Sequence, residues 1–359
     1  MSAVRTQRAE PLTRRPRVSV VIPLYNYGHF LGECIESIVS QEGVDVDVLI
    51  VDDASTDDSL SVAQSIAAYD PRVTVVSNER NMGMVGSINR GLWSVEGEYV
   101  VKFDADDILT PGALARATAL LDADPSVGFV YGFPVEFTDG PPPPARTTVR
   151  NWTVWSGLDW VRIRCRKGRN CIMQPEVVMR ASVLHETGKY RAEMGHAPDF
   201  DMWLRLATTA NVGRINGAHQ GYYRIHPQSW QRTMDTFRLK DLEVIRKIFA
   251  GLFDEAGTKF ADRVALRTTA QRAVAINAIN EACRAYDEGR AEREPVDDYV
   301  ALALDLYPDA ASLPQWRSLQ RRRRAGPERA PQIPAARLKR GLREVEDRLR
   351  WRRWRWSGV

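Results

Sequence analysis

Short β-branched runs alternate with amphipathic stretches from residue 18 onward. Residues 18–23, 46–53, 73–77, 98–103 and 128–137 are valine-rich, short and bounded by turn residues, and they predict strands. Between them, residues 29–40, 57–69, 85–95 and 111–121 repeat apolar positions at helical spacing. Strand and helix in alternation build βαβ units, whose sheets are covered on both faces. That accounts for Val20-Val21-Ile22 and Leu49-Ile50-Val51 being apolar without a break. Ser55-Thr56-Asp57-Asp58 and Thr110-Pro111 supply helix-start signals. The expected fold class is α/β, a Rossmann-like mixed sheet flanked by helices.

Residues 199–208 again read as a helix, and residues 236–324 are almost wholly helical with Pro295 and Pro314 as breaks. The proline run 141–144 reads as an exposed loop. The chain therefore divides into a basic N-terminal tail (1–17), an α/β domain (18–235), a helical subdomain (236–324), a linker (325–334) and a basic tail (335–359).

With 359 residues, 44% hydrophobic and 27% charged, the composition is that of a globular protein with room for two domains. Cys34, Cys165, Cys171 and Cys283 form no C-x-x-C pair, so neither a zinc motif nor a disulfide framework is expected, nor a covalent thiol mechanism. A reducing, cytoplasmic setting is the expectation. No run of about eighteen apolar residues predicts a membrane crossing. The net charge of +4 is unevenly spread. Residues 1–17 hold five arginines against Glu10, and residues 335–359 hold eight arginines and Lys339 against three acids, which leaves the body net acidic. Basic ends on an acidic body point to anionic surfaces met through the ends.

Phe103-Asp104-Ala105-Asp106-Asp107 follows the fourth apolar run. Ligands of open α/β sheets lie beyond the carboxyl ends of strands, so these carboxylates face the expected crevice. Three like charges held together call for a cation, and hard oxygen ligands suit Mg²⁺ or Mn²⁺ shared with substrate phosphates. The alternative is an acidic turn capping the next helix. Val51-Asp52-Asp53-Ala54-Ser55 stands at another strand end, where an acid can accept hydrogen bonds from a nucleoside; the alternative is helix capping by Ser55 and Asp57. Pro23-Leu24-Tyr25-Asn26-Tyr27 replaces any G-x-G-x-x-G after the first strand, against a dinucleotide dehydrogenase.

Taken in order, Val18-Ser19-Val20-Val21-Ile22-Pro23-Leu24-Tyr25-Asn26, Val51 to Asp57, Asn81-Met82-Gly83, Asn89-Arg90-Gly91, Gly97-Glu98-Tyr99 and Asp104-Ala105-Asp106-Asp107 resemble the motifs of family 2 glycosyltransferases of the GT-A fold. The resemblance covers about residues 18–226. It implies inverting transfer of a sugar, expected to be UDP-linked, from a nucleoside diphosphate to a hydroxyl of a glycan or lipid-linked acceptor. By resemblance, Pro23, Tyr25 and Asp53 hold base and ribose, and Asp104, Asp106 and Asp107 bind donor and metal. Asn81, Gly83 and Asn89 shape the donor-flanking loop and helix, or serve structure alone. Tyr223-Arg224-Ile225-His226-Pro227 resembles a late segment that brings a histidine near the donor diphosphate, making His226 a metal-site candidate beside a merely structural reading. Ala197-Pro198-Asp199-Phe200-Asp201-Met202-Trp203-Leu204-Arg205-Leu206 resembles the acidic motif that supplies the base. Asp199 takes that role, with Asp201 as fallback and helix capping as the alternative; Pro198 stands where the family carries glutamate.

The chain has neither Q-x-x-R-W after that motif nor membrane helices, which favours transfer of single residues over processive synthesis. A nucleotidyltransferase on a related fold and an inactive sugar-nucleotide-binding module are the other readings. In the C-terminal tail, Leu338, Leu342, Val345 and Leu349 recur at helical spacing before Trp351, Trp354 and Trp356 interleaved with arginines. Indole and guanidinium together suit an anionic membrane surface; a helix packed on the protein is the alternative, and nucleic acid is not the expected partner.

Overall fold

In the computed structural model, which describes residues 4–138, 140–226 and 238–334 and single positions beyond them, the first four valine-rich runs become the parallel part of one sheet, which reaches its edge at the third of them. The chain runs β1 (Arg5–Gln7), β2 (Arg17–Leu24), α1 (Gly28–Val39), β3 (Asp45–Asp52), α2 (Ser59–Tyr69), β4 (Val73–Ser77), α3 (Gly83–Leu92) and β5 (Tyr99–Lys102). It continues through β6 (Ile108–Leu109), α4 (Ala113–Ala123), β7 (Val127–Tyr131), β8 (Pro134–Phe137), β9 (Asn151–Trp155), α5 (Gly157–Lys167), β10 (Val178–Arg180), α6 (Ala181–Thr187), α7 (Pro198–Thr209), β11 (Asn211–Asn216) and β12 (Gly221–Arg224).

The large sheet has the order β1-β9-β11-β7-β10-β5-β2-β3-β4. Strands β5, β2, β3 and β4 are parallel, with Val21 opposite both Leu49 and Lys102. Strand β10 lies antiparallel to both β5 and β7 and makes the sheet mixed. A smaller sheet, β6-β12-β8, stands beside the acidic turn. The expected strand over 128–137 is two strands in two sheets. Gly132 divides them, because a Cβ there would sit 2.2 Å from Gln220 Cγ.

The core beneath β2 gathers Val18, Val20, Ile22, Leu31, Ile35 and Ile50, all essentially closed to solvent. On the other face Gly91 lets α3 lie against β2 and β3, since a Cβ there would meet Val21 Cγ1 at 2.3 Å. Gly91→Ala is expected to destabilise the domain by about 1–3 kcal/mol through overpacking, read as a lowered midpoint in denaturant. An unchanged midpoint would show that α3 can shift without cost.

The basic N-terminal segment differs from its expected role. Strand β1 pairs with β9, and Arg5, Arg14, Arg15 and Arg17 each meet a carboxylate of the same unit: Asp124, Asp122 with Glu98, Asp45, and Asp47. Four of its five arginines are thus paired in place, with little stability gained from such exposed pairs.

Contacts divide the chain into Met1–Trp160 with Ile172–Arg232, and Val161–Cys171 with Thr233–Val359. The division expected near residue 235 did not assign 161–171 to the C-terminal helices. The cause is local: Asn277 Nδ2 donates to the Gly168 carbonyl at 3.1 Å, and Gly168, at φ +62°, lies against Ala273. This second unit is built on helices Arg238–Ala256, Arg263–Asp287, Val296–Leu306 and Pro314–Ala325, with Arg322 bound bidentate to the buried Asp287. The arginine tetrad 321–324 is thus not uniformly solvated. Most of the tail 335–359 lies outside the described residues; of those described, Val345 and Leu349 are exposed and Trp354 is buried. Among the described residues no helix is long and apolar enough to cross a membrane.

Candidate active site

Two loops meet where β2 and β3 end. Asn26 and Ala54 both have positive φ (58° and 57°), a conformation that asparagine tolerates and alanine rarely adopts. The loops are tied across this strain: the Thr56 amide donates to Asn26 Oδ1 at 2.8 Å, and the Asn26 amide to Ser55 Oγ at 3.1 Å. Ser55 is therefore a loop tie, and α2 has no side-chain cap from it. Pro23 is half-buried at the end of β2 and Tyr25 is exposed beside this junction.

Asp53 is buried, and its Oδ1 accepts from Asn78 Nδ2 and the Met82 amide, both at 2.7 Å. Those two bonds fix the carboxylate and the loop that leads into α3. Asn81 Oδ1 accepts from the Gly83 amide at 3.0 Å, and Gly83 (φ +76°) is exposed with open space around it, so its glycine answers a turn rather than a close approach. Asn89 reaches elsewhere: its Nδ2 donates to the Tyr190 carbonyl at 2.8 Å and its Oδ1 accepts from the Tyr190 amide at 2.9 Å.

The acidic turn after β5 splits its carboxylates among three partners. Asp104 Oδ1 lies 2.7 Å from the ammonium of Lys102, a lysine buried in the middle of the sheet. Asp106 Oδ2 lies 3.1 Å from His226 Nε2. Asp107 is fully buried, and its Oδ1 accepts from the Arg224 amide at 3.1 Å. Arg224 donates through Nε to the Asp106 carbonyl and through its guanidinium to Glu33, and its charge rests on the faces of Phe30 and Phe137. Burial first, then the neighbouring acids, push the carboxyls of Asp106 and Asp107 above the usual range, Asp107 far above it.

Asp199 stands in the first turn of α7, after Pro198 at the start of the helix, and makes no capping bond. It points at Lys102 instead, 3.7 Å from Oδ2 to Nζ, while its Oδ1 is buried without a hydrogen-bond partner. Burial raises its carboxyl pKa, Lys102 draws it back, and Asp104 raises it further. A carboxylate poised this way suits a general base. Asp201 is committed elsewhere: buried, it holds Arg205 at 2.8 Å within its own helix and Arg191 at 3.6 Å. The fallback assignment loses its geometric basis, because such a pair is fixed by structure.

The four expected metal ligands do not converge. Among the described residues no three His, Cys, Asp or Glu side chains are grouped to hold a metal ion. Asp104 is occupied by Lys102 and Asp107 by a backbone amide, which leaves Asp106 and His226 as a two-residue donor set. A carboxylate and an imidazole facing one another fit Mn²⁺ or Mg²⁺, provided substrate phosphates complete the shell. Sequence reasoning passed over Lys102, Asn78, Gln174 and Tyr190. Gln174 Nε2 donates to the Lys102 carbonyl, and its Oε1 is buried without a partner.

A large mixed sheet flanked by helices, with an acidic turn beyond one of its strands, is the GT-A architecture. By structure the chain is similar to a mannosyltransferase of Pyrobaculum calidifontis in complex with GDP-Man and Mn²⁺ (22% identity, 93% of this chain and 89% of that one, TM-score 0.56). It is also similar to S. aureus TarS 1–349 in complex with UDP-GlcNAc (16% identity, 80% and 90%, TM-score 0.56). Residues 19–181 match the family described as Glycosyl transferase family 2. Over 211 residues it is 29% identical to the chondroitin synthase of Escherichia coli, matching 57% of this chain but spanning only 28% of that protein's length.

Proposed function

We propose that this protein transfers a sugar, with inversion, from a nucleoside-diphosphate sugar to a hydroxyl of a glycan or lipid-linked acceptor. The observation that carries the reading is the unpartnered Oδ1 of Asp199, a carboxylate whose Oδ2 faces Lys102, which also binds Asp104 of the acidic turn. Asp199 accepts the proton of the attacking hydroxyl; Asp53 and the loops after β2 and β3 orient the nucleoside. Asp106 and His226 would hold Mn²⁺ or Mg²⁺, which as a Lewis acid supplies charge stabilisation to the departing diphosphate. Lys102 lies against both Asp104 and Asp199 and draws the Asp199 carboxyl back toward its ionised form. The nucleotide sugars bound by the two structural neighbours support a donor of this class. The tail 335–359 is proposed to meet an anionic membrane surface from the cytoplasmic side, on the strength of its Trp/Arg composition.

Incubation with UDP-glucose, UDP-GlcNAc, UDP-galactose and GDP-mannose, each with Mn²⁺ or Mg²⁺, tests the reading through slow donor hydrolysis. Calorimetric titration of UDP and GDP should give an affinity at least about tenfold weaker after chelation and in Asp106→Ala, since the cation and diphosphate complete one another's coordination. Equal affinity in all three conditions would remove the metal from the reading.

A further inference from the structure

Asp53 is the acid given to the nucleoside above, yet two neighbours already claim one of its oxygens. Oδ1 accepts from the Met82 amide and from Asn78 Nδ2, both at 2.7 Å. Oδ2 has no partner among the described residues and is not closed to solvent. The carboxylate is therefore turned so that a single acceptor oxygen is left for an N–H or O–H of a ligand.

The side chain that turns it is itself held. Asn78 is buried, and its amide is fully committed. One proton of Nδ2 goes to Asp53 and the other to Ser87 Oγ at 2.8 Å, while Oδ1 accepts from the Arg90 guanidinium. The same guanidinium nitrogen donates to the Ser77 carbonyl at 2.8 Å, and the Asn78 backbone N–H donates to the Asp52 carbonyl at 2.8 Å, so both ends of the link are seated on strand ends. These partners fix the sense of the amide. Flipped, Asn78 would set its oxygen against the Asp53 carboxylate and its NH₂ group against a guanidinium, two repulsions in place of two charge-assisted bonds. The link thus runs from Arg90, exposed on α3, through a buried amide to Asp53.

We infer that Arg90 and Asn78 are positioning residues for nucleotide recognition: Arg90 locks the amide of Asn78, and Asn78 holds Asp53 with Oδ2 toward the nucleoside. This rests on the glycosyl-transfer reading above. The effect belongs to the nucleoside end of the donor, since no bond of the link reaches Asp104, Asp106, Asp199 or His226.

The test is Arg90→Met in the full chain, with UDP, GDP and pyrophosphate, each with Mn²⁺, as calorimetric probes and UDP-glucose, UDP-GlcNAc, UDP-galactose and GDP-mannose as donors for hydrolysis. Methionine keeps the aliphatic stem of an exposed side chain and removes the donor to Asn78. Affinity for whichever nucleotide the parent binds should fall about fivefold, the worth of one hydrogen bond, and the donor KM should rise in step, with pyrophosphate affinity and hydrolytic kcat close to parental. Arg90→Lys still carries a donor and should keep most of the parental affinity. Because Arg90 acts through Asn78, adding Arg90→Met to Asn78→Ala should cost little beyond Asn78→Ala alone. Parental nucleotide affinity in Arg90→Met, whatever its melting temperature, would overturn the inference, as would an equal loss for pyrophosphate, an equal loss in Arg90→Lys, or losses that add in full. A parental chain that binds neither UDP nor GDP and hydrolyses no donor would instead overturn the transferase reading beneath it.

Discussion

Asp199→Asn is expected to lower turnover by about 10² to 10⁴, the range for a lost general base, while donor affinity stays within about twofold. The amide preserves the shape of the side chain and an oxygen for Lys102 to approach, but it cannot take a proton. Because Asp199 has no capping bond, the exchange removes no support from α7. Asp201→Asn is the control that separates catalysis from architecture. That substitution weakens a buried pair with Arg205, whose guanidinium also ties down the carbonyls of Thr187 and Lys189. It should therefore lower stability and leave the specific activity of the folded protein close to parental. Steady-state kinetics and thermal melting on the same two variants decide the matter. If Asp199→Asn turns over at the parental rate, Asp199 is not the base.

The strand-end positions of the site were legible because pattern and chemistry coincide there. Apolar runs without alternation locate β2, β3 and β5, and the acids that follow must face the crevice at their carboxyl ends. What each acid does was not legible, for its partner comes from far along the chain. Asp104, Asp106 and Asp107 differ only through Lys102, His226 and the Arg224 amide, and the last two arrive on β12 and just after it. Lys102 itself carried a signal: a lysine within the run Tyr99-Val100-Val101-Lys102-Phe103 has no solvent to reach in a sheet covered on both faces, and so requires buried carboxylates. The strands on the far side of the sheet escaped notice for a different reason. Strand β10 has three residues, and β11 carries Gly213 and the buried Arg214, so neither presents an apolar run. Their burial depends on tertiary partners, which local periodicity does not encode. Tyr190 lies in a loop anchored by Asn89, about a hundred residues earlier, and by Arg205 on α7, through the carbonyls of Thr187 and Lys189.

Lys102→Met should destabilise the first unit and move the pH dependence of turnover together. The ammonium is fully buried between Asp104 and Asp199, and burial alone would lower its pKa, yet the two carboxylates outweigh burial and the net shift is upward. It is therefore charged. Methionine fills similar volume and leaves both carboxylates without their cation. Removing one partner of a buried pair costs roughly 3–5 kcal/mol, and the partial exposure of Asp104 and Asp199 puts the expected loss near the lower end, about 3 kcal/mol. For a unit of this size that is a fall of about 6–12 °C in melting temperature. The pH effect has a definite sign. Burial raises the Asp199 pKa and Lys102 lowers it, so loss of Lys102 leaves the raising influences unopposed. The base must be ionised to act, hence activity declines as pH falls through its pKa, and in Lys102→Met that decline must begin at higher pH than in the parent. Lys102→Arg keeps the charge and should retain the parental acid limb even if its larger head costs stability. An acid limb in Lys102→Met at the parental pH or below it, in protein that still melts cooperatively, would mean that Lys102 serves the sheet and not the base.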